Sequence, residues 1–227
     1  MTEPTDREGE QGLSWQGYAR TRLRSALASD ALDSLGFRNQ CLSSGISTLR
    51  QGDVLVGRAF PVQIDPVTEV PEVSYVGLLA ALDAIQPDDV YVAAVGAEAN
   101  VAIWGELVTT VCQSRGAAGA VCDGFARDTS IIRGVDFPVF SRGTVPTDSN
   151  GRSEVRAHNV SVVIDNVTVN PGDLVIADDD GVAIVPADLI EKVVAMALEK
   201  DAQESEFRHA VVGGMGATEA FATFGVL

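Results

Sequence analysis

An arginine followed directly by an aspartate, Arg127-Asp128, ends the run Asp123-Gly-Phe-Ala-Arg-Asp128, just beyond the apolar stretch Gly119-Ala-Val-Cys122. A guanidinium fork can bind a carboxylate through two parallel hydrogen bonds, and an adjacent carboxylate can hold a hard cation. The same residues would also serve as a helix start, with Asp128 as N-cap ahead of Thr129-Ser-Ile and Arg127 as a surface charge. A second candidate is Ala102-Ile-Trp-Gly-Glu-Leu-Val108. There Gly105 lets a ligand approach the backbone, the free N–H groups of a first helical turn favour an anion, and Glu106 is tolerated at that pole of the helix. The plain alternative is a glycine for tight packing and a solvated glutamate.

Other polar clusters read as architecture. Asp178-Asp-Asp-Gly181 sits between two β-rich runs and ends in Asp-Gly, a hairpin signal. Gly213-Gly-Met-Gly216 follows a helical pattern and lacks the Lys-Ser/Thr of a phosphate loop, so it reads as a helix breaker. The histidines His158 and His209 are far apart, which leaves no local zinc pattern. Lys192 and Lys200 lie among acids in a C-terminal helical pattern, which argues against imine chemistry. Cys41, Cys112 and Cys122 have no CxxC spacing and small or apolar neighbours, so all three are expected to be buried free thiols.

These residues need elements to position them. Leu23, Leu27, Ala31 and Leu35 recur every four positions and predict an amphipathic helix over Tyr18–Leu35, stopped by Gly36. A strand follows from Val54 toward Ile64, then a helix from about Glu72 to Ile85, then a buried strand Val90–Val95 ending at Gly96. Residues 101–115 fit a helix with Val101, Trp104, Leu107, Val108, Val111 and Cys112 on one face, and Gly119–Cys122 fits a strand. Strand, helix and strand in so short a span predict a parallel βαβ unit. Ligands gather at strand C-terminal ends and helix N-termini of such units, here Gly96–Glu106 and Asp123–Asp128. Pro138–Phe140 is a further short strand, 155–185 holds several runs expected to pair antiparallel, and helices are expected over Ala187–Arg208 and Thr218–Phe224. Residues 1–14 read as a flexible arm and 15–227 as a single α/β domain with a mixed sheet.

Composition sets the outer bounds. The chain has 227 residues, 46% of them hydrophobic, enough for a real core. Its formal charge of −16 repels phosphate backbones and anionic lipid, so no nucleic acid or membrane partner is expected. No apolar run approaches the roughly 20 residues of a membrane span, and the acidic N-terminus is unlike a signal peptide. The expectation is a soluble, cytoplasmic protein.

Five ordered blocks carry a family resemblance: Trp104-Gly-Glu-Leu107, Gly119–Asp128, Phe137-Pro-Val-Phe140 with Arg142-Gly143, Pro171–Val182 and Phe224-Gly-Val-Leu227. From about Ser29 to the C-terminus the sequence resembles the RraA-like family. That family contains metal-dependent 4-hydroxy-4-methyl-2-oxoglutarate / 4-carboxy-4-hydroxy-2-oxoadipate aldolases and the regulator of ribonuclease E activity. The resemblance implies a swivelling, phosphohistidine-domain-like α/β/α fold, assembled as a homotrimer or hexamer with sites between subunits. It implies Asp128 as ligand of a divalent cation, Mg2+ or Mn2+, and Arg127 as a catalytic and substrate-binding residue. Glu106, twenty-one positions before Arg127, stands where the family usually has Asp. Gly105, Glu106, Leu107 and Val108 match the backbone segment that cradles the substrate's carboxylate. An acid from the adjacent subunit is also implied, and Glu204 is the choice here, ahead of Glu199 and Glu206.

The implied activity is a class II pyruvate aldolase acting on 4-hydroxy-2-oxo acids, with oxaloacetate decarboxylation as a second outcome of the same enolate. A divalent ion would act as Lewis acid on the keto oxygen, and a metal-held or Glu106-held water would take the substrate's hydroxyl proton. The competing expectation is a non-catalytic regulatory binding protein of the ribonuclease E regulator type, and Asp128 beside the arginine favours the enzyme. Methyl transfer, an older label in this family, lacks its nucleotide-type glycine loop here.

Overall fold

The computed structural model describes residues 22–95 and 100–226. The arm expected over 1–14, the helix start at Tyr18 and the strand end at Gly96 lie outside the described residues. Among the described residues, twelve strands and six α-helices follow one another. Helix α1 (Ser25–Ser34) precedes β1 (Ser47–Thr48) and the long β2 (Leu55–Pro66), and α2 (Val76–Ala84) leads into β3 (Asp89–Ala94). The short β4 (Ala102–Trp104) runs into α3 (Glu106–Ser114), followed by β5 (Gly119–Asp123), β6 (Phe125–Ala126), α4 (Thr129–Ile132) and β7 (Val139–Ser141). Strands β8 (Ser153–His158), β9 (Val162–Ile164), β10 (Val167–Val169), β11 (Leu174–Asp178) and β12 (Gly181–Val185) precede α5 (Ile190–Val212) and α6 (Ala217–Phe224).

The main sheet runs β1-β7-β5-β3-β2-β11-β12, with β8 on the far half of β2. Its centre is parallel: β2 with β3, β3 with β5, and β5 with β7. The C-terminal strands join antiparallel, as expected from their short turn-separated runs. Residues Gln40–Leu42 bond to β12 and the same segment continues into β1 on the opposite edge, so the sheet nearly closes on itself. This mixed α/β architecture leaves few free sheet edges.

Period-two alternation sorts the strand residues into separate cores. Val90, Val92 and Ala94 of β3 face the interior of the curved sheet with Val175 and Ala177 of β11 and the β9–β10 hairpin. Tyr91 and Ala93 face outward among Leu82, Trp104 and Cys112, beneath α2 and α3. Leu174 and Ile176 face the opposite outer layer, where α1 and α5 pack through Leu27, Ala31 and Val193. Buried on both faces, β3 from Val90 to Ala94 and β5 from Gly119 to Cys122 are apolar.

Two hairpin turns carry tertiary work as well. Asp178 pairs with Gly181 across the tight β11–β12 turn, confirming the hairpin. The buried Asp178 carboxylate also accepts hydrogen bonds from the Ser25 N–H at 2.8 Å and the Ser25 hydroxyl at 2.6 Å, satisfying a free donor at the start of α1. At the β9–β10 turn both Asp165 and Asn166 have positive φ, the twist that suits a two-residue hairpin. Asp165 then reaches Arg142, which also pairs with the buried Asp123 at the end of β5.

Three sequence expectations are corrected. Residues 101–115 are not one helix: Ala102–Trp104 is a strand paired with β6, and α3 starts only at Glu106. The apolar residues fit helical spacing, but the available partner strand and the extended Gly105 backbone decide the local state. The helix expected from Glu72 begins at Val76, because Tyr75 takes a left-handed conformation. Cys41 is exposed, on a segment that bridges β12, whereas Cys112 and Cys122 are buried. Burial pushes the Cys112 thiol up to about 12 and raises Cys122 as well.

Candidate active site

The site is built where β4 and β6 run parallel. Ala102 pairs with Phe125 and Trp104 with Ala126, so the residues that follow each strand emerge side by side. After β4 these are Gly105 and the first turn of α3, and after β6 they are Arg127 and Asp128. The Arg127 N–H donates to the Trp104 carbonyl at 2.9 Å, extending the pairing to the site itself. The buried Trp104 donates its indole N–H to the Thr109 hydroxyl at 2.8 Å, and that hydroxyl donates to the Gly105 carbonyl at 3.0 Å. These bonds pin the strand-to-helix corner.

Gly105 sits close to the site carboxylate. A Cβ there would lie 3.1 Å from Asp128 Oδ2, so that side chain would have to shift by a few tenths of an ångström, and 3.5 Å from Arg127 Cγ, an ordinary contact. Asp128 has φ of 56° and precedes α4 in the N-cap position, but its side chain caps nothing. The carboxylate instead turns toward α3, where Oδ2 accepts from the Glu106 N–H at 3.4 Å. The helix-cap alternative is therefore half right: the backbone caps and the carboxylate is left for the site. Glu106 is the first residue of α3, and its Oε1 accepts from the Thr110 hydroxyl one turn on, at 3.0 Å.

Arg127 is not a plain surface charge. Its Nε lies 3.8 Å from Asp128 Oδ2, and its Nη1 lies 3.3 Å from Asp148 Oδ1. The other Asp148 oxygen accepts from the Tyr75 hydroxyl at 3.2 Å. Burial and the Asp148 carboxylate raise the Tyr75 phenol above its ordinary range, against the opposing pull of Arg127. A cavity of about 280 Å³ opens between these groups and the walls of α2 and α3, with Leu78, Leu82 and Val111 as its apolar lining. Gly105, Glu106, Leu107, Val108, Arg127 and Asp128 all border it, so one site gathers the sequence-derived candidates except Glu204 and its alternatives Glu199 and Glu206.

Glu204 lies elsewhere, on α5, 3.3 Å from Arg208 and 3.9 Å from Lys200. Within one chain it does not approach the cavity. Asp148 and Tyr75 were missed by sequence reasoning. Asp148 sits in a polar loop, Pro146-Thr-Asp-Ser-Asn150, with no spacing relation to Arg127. The Ala102 N–H bond to the Thr147 carbonyl, at 2.8 Å, and the Ala102–Asp148 bridge bring that loop to β4.

The donors at the cavity are all oxygens: the carboxylates of Asp128, Asp148 and Glu106, with no histidine or cysteine among the lining residues. Such a set fits a hard octahedral cation that keeps most of its water, and does not fit zinc. Among the described residues no group of three or more His, Cys, Asp and Glu converges as a closed metal cage. Asp128, whose carboxylate makes no helix-cap hydrogen bond, borders the cavity as one such oxygen donor.

Several known proteins are similar to this chain. A protein from Halalkalibacterium halodurans, named provisionally as a 4-hydroxy-4-methyl-2-oxoglutarate aldolase, is 33% identical over 193 residues, covering 85% of this chain and 87% of that protein. Protein DlpA of Legionella pneumophila is 30% identical over 190 residues, 84% of this chain, but the chain spans only 30% of that longer protein. Streptomyces coelicolor RraAS2, described as an unusual member of the RNase ES inhibitor RraA protein family, superposes with a TM-score of 0.75 at 30% identity, over 88% of this chain and 98% of its own. The family model for RraA-like proteins, Aldolase/RraA, matches residues 25–184, and the chain belongs to that family.

Proposed function

We propose that this chain is a divalent-metal-dependent lyase that cleaves 4-hydroxy-2-oxo acids to pyruvate and a second keto acid, and that decarboxylates oxaloacetate through the same enolate. The observation that carries this reading is the meeting of Arg127-Asp128 with the first turn of α3, with Asp128 Oδ2 3.4 Å from the Glu106 nitrogen. Asp128 would hold Mg2+ or Mn2+, which when bound supplies Lewis-acid stabilisation of charge on the keto oxygen. The N–H groups of Leu107 and Val108, free at a helix start, orient the substrate's 2-keto carboxylate. The Arg127 fork faces the oxygen on which negative charge grows as the carbon–carbon bond breaks, and an interaction that strengthens in the transition state raises turnover. Glu106, free on one carboxylate oxygen among the described residues, holds the water that accepts the substrate's hydroxyl proton. The apolar walls from α2 and α3 exclude bulk water from the enolate.

In this reading the chain works as a homo-oligomer, trimer or hexamer, and Glu204 serves the site of a second copy. The domain that does so spans 15–227, with 1–14 as an arm outside it. The test is pyruvate release from 4-hydroxy-4-methyl-2-oxoglutarate and from oxaloacetate by chelator-treated protein, with Mg2+, Mn2+ or EDTA. Metal-dependent turnover is expected with both. Absence of turnover with either metal, from folded protein, would favour the second reading. That reading, a regulatory binding protein, draws on the likeness to RraAS2.

A further inference from the structure

Asp148 and Tyr75 complete a chain of contacts that ends on the Arg127 guanidinium. The Tyr75 hydroxyl donates to Asp148 Oδ2 at 3.2 Å, and Asp148 Oδ1 stands 3.3 Å from Arg127 Nη1. On its other edge the same guanidinium stands 3.8 Å from Asp128. Arg127 is therefore gripped from two sides, by a carboxylate next to it in sequence and by one twenty-one residues on. All four side chains border one cavity.

Each member of the chain is anchored by a different element. Asp148 is tied to β4 through the Ala102–Thr147 hydrogen bond and the Ala102–Asp148 bridge. Tyr75 opens α2 with φ of 64°, a conformation that bulky side chains rarely adopt. Its ring thereby leaves the helix axis and its hydroxyl reaches the loop after β7. Strain of this kind persists where the surroundings over-determine it, and at a site border it marks a placed residue. The arginine itself is more than a third exposed, so without a partner its long side chain would sample many rotamers.

We propose that Asp148, held by Tyr75, is a positioning residue that fixes the Arg127 fork toward Asp128 and the first turn of α3. This rests on the keto-acid lyase reading for its catalytic consequence, but not for its geometry. Asp148 touches no reacting atom; it acts through Arg127, and Tyr75 acts through Asp148. The arrangement also sets selectivity. A carboxylate already on the Nη1 edge leaves the remaining guanidinium N–H groups for one planar anion, and its negative charge opposes a second anion at that edge.

The experiment uses the full chain and two readouts. The first is the Nε–Hε cross-peak of Arg127 in a 15N spectrum, assigned by its loss in Arg127→Lys. The second is the split of kcat and KM for metal-dependent pyruvate release. In Asp148→Asn the cross-peak is expected to shift and its solvent exchange to quicken, with kcat/KM down roughly ten- to a hundredfold, mainly in kcat, as expected for a misplaced catalytic group. Tyr75→Phe should do the same more mildly, by about three- to tenfold, the scale of one ordinary hydrogen bond. Asp148→Glu, which keeps the charge, should retain more activity than Asp148→Asn, and thermal melts should show all variants folded. An unchanged cross-peak in Asp148→Asn, or a changed one with wild-type kcat, overturns the proposal. A shifted cross-peak in protein whose wild type releases no pyruvate supports the positioning and overturns the lyase reading, so the two failures are distinguishable.

Discussion

Asp128 is placed in a backbone conformation that few residues adopt, and its carboxylate is spared from capping the helix it precedes. On the lyase reading, Asp128→Ala should abolish metal-dependent pyruvate release while leaving the melting temperature close to wild type, since that side chain is nearly half exposed and buries little surface. Turnover at the wild-type level would remove it as the metal ligand. Arg127→Lys keeps a positive charge but not the planar fork, and activity should fall by roughly two orders of magnitude. Gly105→Ala adds a Cβ at 3.1 Å from Asp128 Oδ2 and should raise KM or lower kcat with little loss of stability. These three residues were legible in the sequence because they are close neighbours there, in two short runs. Asp148 and Tyr75 were not, because nothing local in either stretch distinguishes a site residue from a loop acid or a helix-start aromatic.

At the scale of elements, the hairpin tips and helix starts are tied together by buried carboxylates. Asp178 accepts from both the backbone and the side chain of Ser25. Asp178→Ala leaves those donors buried and unpaired, and should cost about 1–3 kcal/mol. Chemical denaturation of the variant measures this directly, and an unchanged midpoint would show that water replaces the carboxylate. The β9–β10 turn is tied in a pH-dependent way. Burial alone would raise the Asp165 carboxyl, but hydrogen bonds from Ser43 and Arg142 and the Arg142 charge hold it below its ordinary value. A carboxyl depressed in the folded state contributes stability above its unfolded pKa, about 3.9, and loses it as pH falls through the folded value. The melting-temperature gap between wild type and Asp165→Asn should therefore be widest near neutrality and close in acid below that range. A gap that does not depend on pH would remove the ionic contribution. The strand at 102–104 is hidden in the sequence because Val101, Trp104 and Val108 fall at helical spacing, and an apolar run as short as Ala102–Trp104 does not by itself reveal a strand.

For the whole molecule, burial decides which thiols and which ions the solvent can reach. Cys112 and Cys122 sit inside the layer under α2 and α3, while Cys41 is exposed. Native protein at neutral pH should react with a thiol reagent at Cys41 alone, and at all three cysteines after denaturation, because the buried thiols stay protonated. A cation that binds the folded chain and not the unfolded one must raise the melting temperature with concentration. Millimolar Mg2+ or Mn2+ should therefore stabilise wild type and leave Asp128→Ala unmoved. A shift of equal size in both proteins would place the ion elsewhere on this acidic surface. No helix among the described residues is long and apolar enough to cross a membrane, which agrees with the absence of any long apolar run.

The sequence by itself determined the element types over most of the chain, the parallel pairing of β3 with β5 and the antiparallel end of the sheet, the family, and the two short runs that meet at the candidate site. Those features are local: they follow from period, turn chemistry and neighbouring residues, and survive without knowledge of what packs where. Only the tertiary structure decided that Ala102–Trp104 is a strand, that Cys41 is exposed, and that Asp148 and Tyr75 grip Arg127. Each of those depends on a partner distant in sequence: β6 for the strand, β12 for the Cys41 segment, and the loop after β7 for the arginine. A chain's local propensities carry no record of such partners until the sheet has brought them together.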